Sequence, residues 1–183
     1  MKKIRFVAVV LLLAMLVGCS APTGSNQWSS ENVTVEEMDK RIKQEMQELG
    51  YTNVEIVEAE RNEQGKQRLD RDVMFTNPGN EDNKAELTYV YDVEKQIAVE
   101  VYACLFGSDN SAENLETYYD LARVSARVCG INTDDAFDEK YKLKEGKDFT
   151  VKGEEGELLL YSSWSEFTKY FRVGIIPDKN ISG

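Results

Sequence analysis

Carboxylates are the commonest side chains in this chain that could carry out chemistry. The sequence holds 33 Asp and Glu residues against 22 Lys and Arg, and it has no histidine. The missing histidine excludes Ser-His-Asp and Cys-His nucleophile pairs and histidine-ligated zinc. A pair of carboxylates can act as acid and base in a hydrolase, but no motif in this sequence selects two of them. The residues therefore predict no catalytic site, and a carboxylate-dependent hydrolase is the alternative function.

The densest group of oxygen ligands lies in one short stretch, which comprises Asn132, Thr133, Asp134, Asp135, Asp138 and Glu139. A calcium ion needs about six to eight oxygen ligands. The stretch lacks the spacing and the central glycine of an EF-hand loop, and acidic residues in the first turn of a helix are expected from the helix dipole alone. We therefore expect no metal site and no cofactor.

The chain has three cysteines, Cys19, Cys104 and Cys129. Cys104 and Cys129 stand neither in a CxxC motif nor at a metal-ligand spacing. An oxidising compartment would permit a disulfide between them. Cysteines with apolar neighbours are also typical of small buried side chains. The sequence leaves both alternatives open.

Aromatic side chains recur through the predicted strands and helices, at Tyr89, Tyr91, Tyr102, Tyr118, Tyr119, Tyr161, Trp164, Tyr170 and Phe171. Tyrosine and tryptophan on a sheet can form an interaction face. Tyrosines also line sheet cores and form cross-strand pairs, and for most of this set the core is favoured. For an interaction face, the strongest candidates are Tyr161, Trp164, Tyr170 and Arg172.

The N-terminus combines a basic start with a short apolar run. Met1–Arg5 carries the positive charge, Phe6–Val17 is apolar, and a polar stretch begins after Cys19. This order is typical of a signal peptide, and Leu16–Cys19 resembles the lipobox of bacterial lipoproteins. The resemblance implies cleavage between Gly18 and Cys19 and attachment of lipid, including palmitate, to Cys19. An uncleaved transmembrane helix is disfavoured, because a span needs about 20 apolar residues.

The chain is accordingly predicted to comprise a signal peptide (1–18), a lipidated cysteine with a flexible tether (19–32), a single α+β domain (33–177) and a loose tail (178–183). Removal of Lys2, Lys3 and Arg5 leaves 19 Lys and Arg against 33 Asp and Glu, a formal net charge of −14. We expect no binding to nucleic acid, because phosphate contacts need clustered basic residues.

Two main helices and a set of strands are predicted. Thr34 and Glu37 form a capping box, and apolar residues then recur at helical spacing until Gly50. The second helix is predicted from about Ser111 to Cys129 by the same periodicity. Strands are predicted at 54–59, 69–76, 87–93, 96–106, 149–152, 157–164 and 167–176. Within 96–106, alternation predicts that Ile97, Val99, Val101, Ala103 and Leu105 share one face.

This order predicts an α+β fold, with an antiparallel sheet of about six to seven strands and two main helices packed on one face. The expected protein is a lipoprotein of the cell membrane that faces outside the cytoplasm. It would contact the membrane through the lipid on Cys19 and act as a non-enzymatic binding module for an envelope protein partner or an unknown ligand. The alternative is the carboxylate-dependent hydrolase, acting on cell-envelope polymers.

Overall fold

A computed structural model describes residues 32–59, 67–107, 111–134, 136–141, 143–144, 149–152, 158–165 and 167–175. For residues 149–152, 158–162 and 164 it describes the backbone alone. The predicted cleavage site at Gly18 and Cys19, most of the tether and the tail lie outside the described residues. None of the described helices has the length and apolarity that crossing a membrane requires.

The described elements are the helices α1 (Val35–Glu48), α2 (Ala112–Val128) and α3 (Phe137–Lys140) and the strands β1 (Thr52–Glu58), β2 (Arg68–Thr76), β3 (Ala85–Asp92), β4 (Ile97–Phe106), β5 (Phe149–Lys152), β6 (Leu158–Trp164) and β7 (Thr168–Ile175). The strands form one seven-stranded sheet in the order β1-β2-β3-β4-β7-β6-β5, and every neighbouring pair is antiparallel. Both long helices contact the sheet and each other. The predicted α+β class, with an antiparallel sheet and helices packed against it, is confirmed.

Helix α1 begins and ends as its sequence predicts. The hydroxyl oxygen of Thr34 accepts a hydrogen bond from the backbone N–H of Glu37 at 3.2 Å, which satisfies one of the free donors of the first turn. Gly50 follows the helix with a φ of +87°, a conformation that glycine adopts without steric cost. Between these ends, Met38, Ile42 and Met46 are fully buried, so one face of the helix enters the core.

Helix α2 is buried over more of its circumference than α1. The side chain of Ser111 caps its first turn by accepting from the N–H of Asn114 at 3.3 Å. Ala122, Ser125 and Ala126 have no exposed surface, and such small side chains allow a helix to lie close to a sheet. The core between helices and sheet also holds larger fully buried side chains, namely Leu87, Tyr89, Leu105, Tyr118, Leu121, Phe137 and Phe171.

The turn between β3 and β4 lacks the glycine or asparagine that tight hairpins favour. Instead, Gln96 adopts a φ of +55°, and the Asp92 side chain accepts from the N–H groups of Glu94 and Lys95 at 3.0 and 2.9 Å. Val33 enters the fold beside this turn, where its carbonyl accepts from the N–H of Ala98 at 2.7 Å. Val33 is therefore held at this end of the sheet.

The predicted alternation along β4 is wrong at its start. Val90 pairs with Glu100 and Tyr91 pairs with Ala98, so the register shifts at Val99. A bulge of this kind inserts one extra residue into the strand, so the residues before it face the opposite side of the sheet from the one that simple alternation predicts. Ala98 consequently joins the core that contains Val101, and Ile97 lies on the opposite face from Val101.

No disulfide joins Cys104 and Cys129 in this structure. Both thiols are free and buried. Cys104 pairs with Tyr170 in the sheet register and faces away from the helices, whereas Cys129 ends α2 within the helix layer. The sheet separates them, so both are small buried side chains.

Candidate functional site

The sheet has one face covered by helices and one that the described helices leave uncovered. Alternate residues such as Leu87, Ala103 and Phe171 belong to the core beneath the helices. The residues between them point to the other side, and the register aligns them across the strands, with Tyr102 between Thr88 and Arg172. We call this second side the open face. Its central described side chains are Asp70, Asp72, Thr88, Glu100, Tyr102, Cys104, Tyr170 and Arg172; Thr88 and Cys104 are buried, and the other six are partly exposed.

Two tyrosines form an aromatic pair at the centre of the open face. The rings of Tyr102 and Tyr170 lie 5.3 Å apart at an angle of 35°, and both side chains are only partly buried. Burial and the nearby Glu100 carboxylate raise the pKa of Tyr170, so its hydroxyl stays protonated and remains a donor. This pair offers a flat apolar surface with polar edges, a combination that is common at interface hot spots.

An arginine and a carboxylate lie beside this pair. Arg172 Nη2 is 2.8 Å from Glu100 Oε2, and the side chain of Glu100 is 14% exposed whereas that of Arg172 is 40% exposed. Burial raises the pKa of Glu100, although Arg172 and Arg68 oppose that effect. Arg172 Nε is buried and has no hydrogen-bond acceptor among the described residues. The cluster therefore presents a partly exposed guanidinium group beside an aromatic surface.

The predicted interaction face is described in part. Tyr170 and Arg172 lie together on the open face. Tyr161 pairs with Arg172, and Trp164 pairs with Lys169, but only the backbone of these two residues is described. The sequence prediction missed Glu100 and Tyr102, although the alternation of β4 had separated them from the core residues. Their pairing with β7 gave no sequence signal, because β4 and β7 lie far apart along the chain.

Within the acidic stretch 132–139, Asp138 forms ion pairs, and Asp135 lies outside the described residues. Arg123 Nη2 lies 2.5 Å from Asp138 Oδ2, and Lys144 Nζ lies 3.3 Å from the same oxygen. Burial of Asp138 is outweighed by these partners, so its pKa is lowered. Within the part of the chain that the structure describes, no group of three or more His, Cys, Asp or Glu residues is arranged to hold a metal ion.

A cleft of about 530 Å³ lies at the end of the sheet remote from Val33, and its lining includes Leu49, Tyr51, Pro78, Glu113, Glu116 and Asp120. Side-chain hydrogen bonds fix its walls. Asn77 Nδ2 donates to Thr117 Oγ1 at 2.8 Å, and the Tyr51 hydroxyl donates to Asp120 Oδ2 at 3.1 Å. The turn after β2 is thereby held against helix α2.

Comparisons with protein families, with curated proteins and with solved structures find no match for this chain.

Proposed function

We propose that this chain is a lipid-anchored protein of the cell membrane whose domain faces outside the cytoplasm and binds a protein partner through the open face. The observation that carries the proposal is the cluster of Tyr102, Tyr170, Arg172 and Glu100 on a sheet face that the described helices do not cover. Both long helices pack on the other face, and Tyr102, Tyr170 and Arg172 remain partly exposed on this one, which supports a role in contact.

The chemistry of the open face suits a protein partner. Tyrosine and arginine are enriched among the residues that dominate interface energies, whereas lysine, glutamate and aspartate are depleted at interfaces. The side chain of Arg172 is 40% exposed. Its guanidinium group can form charge-assisted hydrogen bonds to a carboxylate or carbonyl oxygen of a partner.

The size of the open face is also close to that of a protein–protein interface. Strands lie about 4.8 Å apart and rise about 3.3 Å per residue, so the five strands from β1 to β7 in sheet order span about 19 Å. The ten residues of β4 span about 30 Å. The resulting area, on the order of 600 Å², approaches the roughly 800 Å² per partner of a standard interface.

The anchor is supported by the lipobox-like Leu16–Cys19. Two acyl chains hold a protein stably at a bilayer, whereas one chain binds reversibly. A flexible tether of the length predicted between Cys19 and Asn32 has a root-mean-square reach of about 20 Å. The domain would therefore lie close to the membrane and still rotate toward a partner in the same compartment.

The anchor is tested by Cys19→Ala. We expect the variant to keep the mass of the uncleaved precursor or to leave the membrane fraction, because lipid attachment and lipobox cleavage both need the thiol. Mass spectrometry of the isolated protein and detergent partitioning measure this. A variant with unchanged mature mass and unchanged membrane partition would overturn the lipoprotein assignment.

The binding role is tested by chemical crosslinking in cells followed by mass spectrometry, with Tyr170→Ala and Arg172→Ala compared with Lys43→Ala on the exposed side of α1. We expect one reproducible partner whose yield falls in the two open-face variants and is unchanged in the control. Turnover of a cell-envelope polymer by the purified protein, abolished by Glu100→Gln, would instead establish the hydrolase.

A further inference from the structure

The domain has two ends, and the cleft lies at the end away from the tether. Val33 joins the fold beside the turn between β3 and β4. Strand β4 then runs from Ile97 to Phe106, which is about 30 Å at the usual rise per residue. At its far end lie the turn at Asn77–Asn80, the end of α1 and the first turns of α2, which together line the cleft. We call this the distal cleft.

One wall of the distal cleft is apolar. Leu49, the residue after α1, is 37% exposed and lines the cleft with Pro78 and Ala112. Beneath it, the Tyr51 ring packs edge to face against Phe75 with centroids 5.2 Å apart. Burial and the Asp120 carboxylate raise the pKa of Tyr51, so its hydroxyl remains a neutral donor that is already directed to Asp120. This wall is therefore preformed and carries no positive charge.

The other wall is acidic. Glu113, Glu116 and Asp120 follow one another along one side of α2 and line the cleft. Asp120 is neutralised by Arg123, whose Nη1 lies 3.0 Å from Asp120 Oδ1. Glu113 and Glu116 are exposed, and neither forms an ion pair with a residue that the structure describes. Two exposed carboxylates therefore line an open cavity opposite an apolar wall, and Arg123 offsets the charge of Glu116 only at longer range.

We propose that the distal cleft is a docking site for a lysine-bearing segment of a partner polypeptide. A lysine side chain has an apolar stem and a charged end, so its stem would lie along Leu49 and Pro78 while its ammonium group meets Glu113 and Glu116. Charge complementarity selects this occupant over an acidic one, since the exposed carboxylates of Glu113 and Glu116 line the cleft. The site is independent of the open face and of the lipid anchor.

The test measures the affinity of the purified full-length mature protein, in detergent, for a labelled peptide of alternating lysine and glycine by fluorescence anisotropy. The cleft variant is Glu113→Gln with Glu116→Gln. The matched control is Glu55→Gln with Glu94→Gln, which removes the same charge from exposed positions on β1 and on the turn near the tether. Circular dichroism checks that each variant keeps the native fold.

We expect the cleft variant to weaken peptide binding about fivefold, as the loss of two solvent-accessible ion pairs would, and to flatten its dependence on salt concentration. The control should keep the original affinity. Equal weakening in both variants would show general attraction between a basic peptide and an acidic protein, and would overturn the proposal. Glu113-dependent binding of calcium or spermine that displaces the peptide would also overturn it in favour of a small cation. Arg172→Ala should leave peptide binding unchanged, so this test is separate from that of the open face.

Discussion

Arg41 provides the sharpest test of how the helices are held together. Its side chain is 8% exposed, and Nε lies 3.1 Å from Glu37 Oε1. Its Nη1 donates to the carbonyl oxygen of Val128 at 2.9 Å. That carbonyl belongs to the last turn of α2, where no backbone donor of the helix remains to satisfy it. Arg41 therefore joins α1 to the C-terminal end of α2 with a positive charge that the helix dipole favours there.

We predict that Arg41→Met lowers the free energy of unfolding by about 2–3 kcal/mol. Most of this follows from leaving a buried carbonyl without a donor, which costs about 1–3 kcal/mol. The ion pair adds less than about 1 kcal/mol, because Glu37 is 34% exposed and regains water. Methionine and arginine have similar helix propensities, so the substitution does not weaken α1 itself.

The assay is urea unfolding followed by circular dichroism, with Lys40→Met as the control. Lys40 is adjacent and 68% exposed, and it lies 3.7 Å from the same Glu37 carboxylate. Its replacement removes the same charge from the same helix and should change stability by less than about 0.5 kcal/mol. In thermal unfolding, Arg41→Met should lower Tm by about 5–10 °C. Equal, small effects of the two substitutions would refute the assigned role of Arg41.

Three further predictions concern other described contacts. Tyr89→Phe should cost about 1 kcal/mol, because the fully buried Tyr89 hydroxyl donates to Asp39 Oδ1 at 2.5 Å; Tyr91→Phe is the control, and equal costs in urea unfolding would contradict the prediction. Asp138→Asn should destabilise the domain at neutral pH by about 1 kcal/mol. Because the Asp138 pKa is lowered in the folded state, the stability that its carboxylate contributes is present above the ordinary pKa of 3.8 and is lost as the pH falls through the folded-state pKa. The difference in free energy of unfolding between the native protein and Asp138→Asn should therefore shrink in acid. A difference that persists unchanged to about pH 2 would contradict the prediction. Burial raises the pKa of the Cys129 thiol to about 12 and Cys104 is also buried, so a thiol reagent should modify neither residue until the domain is unfolded, and rapid labelling of the native protein would show the burial to be wrong.

Local patterns predicted the elements whose ends are set by nearby residues. Thr34 and Gly50 correctly predicted the two ends of α1, because an N-cap and a glycine with positive φ each act within one turn of the helix. The short helix α3 is a counter-example, since Ala136 precedes it without a side-chain cap. Asp134 instead accepts from the N–H of Ala136 at 3.1 Å, within a turn before the helix.

Features that depend on distant residues were beyond local patterns. No glycine or proline marks the bulge at Val99 in the sequence, and the bulge can be recognised only from the pairing of β3 with β4. The contact between Arg71 and Asp39, with Nη2 and Oδ2 at 2.8 Å, joins β2 to α1. No local pattern around Arg71 identifies Asp39 as its partner. The open face arises in the same way, because the pairing of β4 with β7 brings Glu100 and Tyr102 beside Arg172 and Tyr170.

Site-specific photocrosslinking in cells tests most directly whether the open face binds a protein partner. A photoreactive amino acid is placed at Tyr102 on the open face and, in a separate strain, at Lys43 on the exposed side of α1. We predict that one protein crosslinks to position 102, that it does not crosslink to position 43, and that the adduct disappears with Arg172→Ala. No adduct from position 102, or the same adducts from both positions, would contradict the proposal that the open face binds a protein partner.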